Sequence, residues 1–232
     1  MRILALETAT HRLSVAYWDD GALVERAAEL PNGGSEWLLP AANALLEEAG
    51  ITMKALDGIA FGAGPGSFTG LRLAAGCAQG LAFGLDLPVI GINTLEALAL
   101  ASGEGRAYAC LDARMNEVYV AAYDGGRQVL APTVCAPEQA PVPAGDGWVG
   151  CGDGFAAYGG RLPALARTRA DLRPTAAAAA PLAPPRLARR AGLDAPRLAR
   201  GEGVDAALAA PLYVRDKVAL TAAERLARGG SK

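Results

Sequence analysis

A chain of 232 residues with a formal charge of −2 and 52% hydrophobic residues can bury the core of one or two domains. Nothing in that charge balance points to nucleic acid or a membrane as a direct partner. No apolar run approaches the ~20 residues that a bilayer span needs, and Arg2 followed by Glu7 does not make a secretory leader. The four cysteines, at 77, 110, 135 and 151, have neither metal nor disulfide spacing and read as packed thiols. A soluble, cytoplasmic protein is expected.

Ile3–Leu6 is apolar on both faces, as a strand covered on both sides must be, and runs into Glu7-Thr8-Ala9-Thr10. Leu13–Trp18 and Ala22–Ala28 flank the hairpin signal Asp19-Asp20-Gly21, so the chain opens on an antiparallel meander. From Ser35 to Ala49, Leu38, Ala41, Ala42, Leu45, Leu46 and Ala49 share one helical face. Pro40 lacks the amide that would bond Glu36, which predicts a loose first turn. Gly58–Phe61 reads as a buried strand, Thr69–Leu85 as a helix, Val89–Ile92 as a strand, and Thr94–Ala101 as a helix capped by Thr94. Three strands followed by alternating helices and strands fit a mixed sheet with helices on both faces.

The second half begins with the same topology. Ala107–Leu111, Glu117–Tyr123 and Arg127–Ala131 predict a second meander, in which Asp112, Arg114 and Glu117 make a charged cluster at one hairpin mouth. After Ala131 the chain loosens into Pro, Ala and Gly, with a strand at Trp148–Cys151 and a turn, Gly152-Asp153-Gly154, before a short helix. Ala176–Ala180 invites a helix that Pro181, Pro184 and Pro185 oppose. Between Arg161 and Arg200 stand nine Arg against Asp171 and Asp194, with no interleaved aromatics, which reads as a solvated face.

The chemistry-bearing stretch is the loop Gly64, Pro65, Gly66, Ser67, Phe68, Thr69, Gly70 between a strand and a helix. Its glycines permit close backbone approach, and Ser67 or Thr69 can cap the helix, in the outline of an anion cradle. It has no G-x-x-x-x-G-K-[ST] and no G-x-G-x-x-G, so it reads as a structural connection. Gly76, Gly80 and Gly84 recur every four residues in the following helix, at a cost of roughly 1 kcal/mol each relative to Ala. Something is therefore expected to lie close to that face: a neighbouring element or a partner. The single histidine, His11, leaves no His-rich metal chemistry, and Glu36, Glu47 and Glu48 read as a solvated helix surface. No catalytic residue, metal or cofactor is expected.

Gly64-Pro65-Gly66-Ser67-Phe68-Thr69-Gly70-Leu71-Arg72, Ala78-Gln79-Gly80-Leu81-Ala82 and Leu111-Asp112-Ala113-Arg114-Met115-Asn116-Glu117-Val118-Tyr119 resemble the TsaB (YeaZ) family. The resemblance runs from Arg2 to about Tyr123 and returns at Pro211-Leu212-Tyr213-Val214-Arg215. It implies an α/β fold of two lobes with mixed sheets, actin-like or Hsp70-like (ribonuclease-H-like), with lobes over 1–104 and 105–210 and a tail over 211–232. It also implies a non-catalytic role in making threonylcarbamoyladenosine at adenosine 37 of tRNA. In the family's scheme TsaC makes threonylcarbamoyl-adenylate, TsaD transfers the group, TsaE is an ATPase and TsaB holds the assembly together.

The implied partners are a TsaD-type subunit in a heterodimer, a TsaE-type ATPase, tRNA indirectly, and a second copy when the chain is alone. Docking through the first two helices would use Leu38, Leu45, Leu71, Arg72, Ala75, Gly76, Gln79 and Gly80. The H-x-x-x-H metal helix of TsaD proteins has no counterpart in Gly33–Pro40. Nucleotide-binding members of this superfamily carry Asp where this chain has Glu7, here expected to bond backbone amides. The rival reading is an active ATP-binding kinase or ATPase using Glu7, the Gly64–Gly70 loop and Asp112. A peptidase is disfavoured by the missing histidine pair.

Overall fold

The computed structural model describes residues 1–30, 33–189 and 205–215. The first three strands, β1 (Arg2–Glu7), β2 (Arg12–Asp19) and β3 (Ala22–Glu29), form the expected meander. Helix α1 (Gly34–Glu48), β4 (Gly58–Gly64), α2 (Phe68–Leu85), β5 (Val89–Asn93) and α3 (Thr94–Ser102) follow. The sheet order is β3-β2-β1-β4-β5, with β1, β4 and β5 parallel, β2 antiparallel to β1, and β3 antiparallel to β2.

The second sheet repeats this order. It contains β6 (Arg106–Asp112), β7 (Val118–Asp124), β8 (Arg127–Cys135), β9 (Val149–Cys151) and β10 (Arg167–Arg169), arranged β10-β9-β6-β7-β8. Short helix α4 (Gly154–Tyr158) follows β9. One strand order used twice, with an antiparallel meander at one side and parallel strands at the other, is the two-lobed actin-like topology.

Three details differ from the sequence reading. Pro40 does not loosen α1, which runs unbroken through it. Asn93, not Thr94, caps α3: its Oδ1 accepts from the amides of Leu95 and Glu96. Thr94 is instead buried, and its Oγ1 accepts from Gly64 N at 3.1 Å. The prolines after Ala180 do not end helical structure, because α5 (Ala176–Ala179) passes through a 3-10 turn into α6 (Ala183–Arg189). Pro184 and Pro185 lie in the first turn of α6, where an amide has no helical acceptor to lose.

Packing shows why the later part of the chain carries so many alanines. Helices α1 and α2 cover one face of the first sheet, over Leu4, Leu6, Val15, Ile59 and Phe61. The opposite face, built on Ile3, Ala5, Ala16, Ala60, Ile90 and Ile92, is covered by residues returning from the second half: Ala176, Ala178, Ala179, Ala180, Ala183 and Leu187. Buried Ser14 receives the Ala176 amide at 2.7 Å, and Glu25 receives that of Ala177 at 2.8 Å. Two amides at the start of α5 are thus satisfied by side chains of the first sheet. Helix α3 sits between the lobes, with Ala97 packed toward the first sheet and Leu95, Leu98 and Ala99 toward the second.

Candidate functional site

The glycine loop packs directly on the turn after β1. Ser67 N donates to Ala9 O at 2.8 Å, and Thr8 Oγ1 donates to Gly70 O at 2.6 Å. A Cβ on Gly66 would lie 2.6 Å from Ala9 Cβ, and one on Gly70 would lie 1.9 Å from Thr8 O. Gly64 has φ 113°, and the Gly64–Pro65 peptide is cis. Ser67 caps α2 by accepting from Gly70 N at 3.4 Å, while Thr69 lies exposed in the first turn. Close approach of two backbone turns therefore explains Gly66 and Gly70, and the amides of Ser67 and Gly70 already have acceptors.

Glu7 is fully buried behind this contact. Its Oε1 accepts from Ala9 N at 2.8 Å, and its Oε2 has no partner. Burial pushes its pKa up to about 7, against the pull of the Ala9 and Thr8 amides. Asp112, by contrast, lines the cleft between the lobes, a space of about 770 Å³ that the loop, the 8–10 turn and residues 212–215 also border. Asp112 Oδ1 accepts from Arg114 N at 2.7 Å and from Tyr158 OH at 2.9 Å. Arg114 Nη1 lies 3.3 Å from Asp112 Oδ2, the expected hairpin-mouth pair. Glu117 turns away from that pair to meet Arg215. The structure does not bring Glu7 and Asp112 together in one open site: one is sealed, the other faces the cleft.

His11 is an exposed turn residue, with Nε2 3.0 Å from Glu29 Oε2. No three His, Cys, Asp or Glu side chains converge among the described residues. No helix among the described residues is long and apolar enough to cross a membrane. The expected Arg-rich surface of 161–200 lies partly outside the described residues. Within them Arg161, Arg167, Arg173 and Arg186 pair with Glu138, Glu104, Asp153 and Glu96.

The second candidate site is the outer face of α2. Beyond α2 itself, a Cβ on Gly76, Gly80 or Gly84 would meet no atom of the described residues within 4 Å. No neighbouring element of the described chain explains these glycines. Phe68, Arg72 and Phe83 share the exposed side, Phe83 at 83% exposure. The guanidinium of Arg72 lies over the Phe68 ring, 3.5 Å from its centroid. Leu38, Leu45, Leu71 and Ala75, expected on a docking face, are buried in the chain's own core. They belong to the apolar stripes that α1 and α2 turn toward the sheet, so they offer no surface to a partner. Gln79 is half-buried, and its Nε2 donates to Ala209 O at 2.8 Å.

A strand order used twice, with a closed glycine loop and an open helix face, defines a two-lobed protein of actin-like fold. Residues 33–144 match the family model of TsaD, tRNA N6-adenosine threonylcarbamoyltransferase. The chain is 43% identical over 127 residues to the Escherichia coli tRNA threonylcarbamoyladenosine biosynthesis protein TsaB, covering 53% of this chain and 55% of that one. It is 40% identical over 158 residues to the Haemophilus influenzae protein of the same name, covering 60% of this chain and 66% of that one. The sequence match thus spans between half and two thirds of these two relatives. YeaZ from Pseudomonas aeruginosa superposes with a TM-score of 0.81 at 38% identity, covering 91% of this chain and 99% of that one. The chain belongs to the TsaB (YeaZ) family of tRNA threonylcarbamoyladenosine biosynthesis proteins.

Proposed function

We propose that this chain is a cytoplasmic, non-catalytic subunit that docks a TsaD-type enzyme in the threonylcarbamoylation of adenosine 37 of tRNA. The observation that carries the reading is the outer face of α2, where Gly76, Gly80 and Gly84 have no neighbour beyond their own helix among the described residues. Interaxial distances of about 8–10 Å depend on the side chains at the contact, and bare glycines permit the closest approach of a partner helix. Arg72, Gly76 and Gly80 are the centre of that surface, with Phe68 and Phe83 at its ends and Gln79 at its margin. A TsaE-type ATPase joins the assembly, tRNA is met through the enzyme subunit, and a second copy occupies the same face when the enzyme is absent.

The active kinase or ATPase reading is weaker on the same geometry, since the Gly64, Ser67 and Gly70 amides and Glu7 are taken up inside the protein. Co-purification with a TsaD-type subunit from the same cell tests the proposal. Gly80→Leu should abolish association while the circular dichroism spectrum stays unchanged. A variant that still binds as the wild type does overturns it.

A further inference from the structure

Residues Pro211–Arg215 cross the cleft between the lobes, and their contacts pass from the first lobe, at Leu212 and Tyr213, to the second, at Val214 and Arg215. On the first lobe, Leu212 N donates to Ala63 O at 2.6 Å, extending the backbone pairing at the end of β4. Tyr213 stacks against Phe68 with ring centroids 6.1 Å apart, and its hydroxyl oxygen accepts from Arg72 Nε at 3.2 Å. On the second lobe, Val214 packs against the cluster that holds Leu111, Ala113 and Tyr119. Arg215 donates from Nη2 to Ala113 O at 2.9 Å and to the Glu117 carboxylate, and its guanidinium lies 5.8 Å from the Tyr119 ring centroid.

What Arg215 grips is itself unusual. Arg114, Met115 and Asn116 are three consecutive non-glycine residues at φ 59°, 54° and 63°. Such residues are held in the left-handed region only when their surroundings over-determine it. Here the surroundings are Arg215 on Ala113 O and Glu117 at one side, and Arg161 Nη1 donating to Asn116 Oδ1 at 2.9 Å at the other. A side chain 98 residues further along the chain than Glu117 therefore helps to set the β6–β7 hairpin.

We propose that Pro211–Arg215 is a built-in clamp that fixes the angle between the two lobes and holds the left-handed β6–β7 hairpin in place. Each half of the segment is bonded to a different lobe, so neither lobe can rotate about the α3 connection without breaking one half. Arg215 is largely buried, at 14% side-chain exposure against 39% for Glu117, so one end of the pair is withdrawn from the solvent that screens surface charges.

The test is an interlobe distance measured on the isolated full-length chain, so that it does not depend on any partner. Spin labels at Glu47→Cys and Gln128→Cys, both exposed, in a background carrying Cys77→Ala and Cys135→Ala, report one lobe against the other. The otherwise native chain should give one narrow distance peak. Arg215→Ala should broaden it, and the Leu212 amide should lose hydrogen-exchange protection while β1 and β4 keep theirs. Arg72→Ala removes only an exposed side chain and frees Tyr213, so it should broaden the peak to a smaller degree. It decides the matter should Arg215→Ala fail to fold. A peak as narrow as in the unsubstituted chain, in Arg215→Ala or in that case in Arg72→Ala, overturns the clamp.

Discussion

Glu7 and Gly62 share one space: a Cβ on Gly62 would lie 2.2 Å from Glu7 Oε2 and 2.5 Å from its Cδ. The glycine in β4 makes room for a carboxyl group with no charged neighbour, and desolvation raises its pKa from 4.5 to about 7. The folded state therefore holds a proton that the unfolded state has released, and stability falls as pH rises from about 4.5 to about 7. The loss attributable to Glu7 is on the order of 3 kcal/mol and is complete above that window. In Glu7→Gln the unpaired amide hydrogens bring their own penalty of about 1–3 kcal/mol, so the slope is the decisive quantity. Denaturant midpoints should decline with pH in the wild type relative to the variant. Parallel curves between pH 4.5 and 7 would show that Glu7 does not carry the proton.

Gly62→Ala probes the same pair from the other side. The added methyl must displace the Glu7 carboxyl from its bond to Ala9 N, and overpacking of this kind costs about 1–3 kcal/mol. Chemical denaturation of Gly62→Ala, Glu7→Ala and the double variant makes a cycle. The loss in Gly62→Ala should shrink once Glu7 is truncated, and simple additivity would contradict the steric account.

The sheet strands were largely legible because β1, β4, β5 and β6 are apolar on both faces and the meanders carry Asp-Gly turns. β10 was missed because Arg167-Thr168-Arg169 is short and polar, and joins the sheet through parallel backbone pairing with β9. The return of 176–187 to the first sheet was hidden for a different reason: an alanine run has no polar face to show which side is buried. The α2 glycines pointed to a close approach, but the leucines named beside them lie on the inward stripe. A helix that covers a sheet must turn its large apolar residues to its own core. The clamp left only Tyr213-Val214-Arg215 as a trace, since its meaning depends on Arg72 and Glu117, distant in sequence.

Thiol reactivity should divide the cysteines by depth. Cys110 and Cys151 are fully buried, and Cys151 is pushed up to about 12 by desolvation. Cys77 and Cys135 are only partly buried, and burial raises them too. An aromatic disulfide reagent at pH 8 should modify Cys77 and Cys135 slowly in the native protein, and Cys110 and Cys151 only after unfolding. Modification of Cys110 or Cys151 at the rate of Cys77 would contradict the packing.

Nucleotide should not stabilise the chain. A ligand that binds only the native state raises the melting temperature by mass action, yet the Ser67 amide is spent on Ala9 O and Glu7 is sealed from the cleft. Millimolar ATP with magnesium should leave the melting temperature unchanged, and purified protein should not hydrolyse ATP. A reproducible upward shift, or turnover above a Glu7→Ala control, would restore the kinase reading.

Gly70 and Gly80, about 15 Å apart along α2, should respond in opposite ways to the same methyl group. At Gly70 a Cβ would lie 1.9 Å from the Thr8 carbonyl oxygen, a backbone atom that cannot swing aside. Gly70→Ala should cost roughly 3 kcal/mol or more, at the upper end of overpacking penalties. At Gly80 the methyl meets nothing beyond its own helix within 4 Å among the described residues, and the position is interior to α2. There Gly→Ala removes backbone freedom from the unfolded chain and should stabilise the monomer by about 1 kcal/mol. The same methyl stands where a partner helix would make its closest approach, so the more stable Gly80→Ala should bind a TsaD-type subunit more weakly than wild type. Thermal melts and binding isotherms on one preparation settle both halves. A Gly80→Ala protein that melts lower would mean the face is packed within the chain, and one that binds as tightly as wild type would place the docking surface elsewhere.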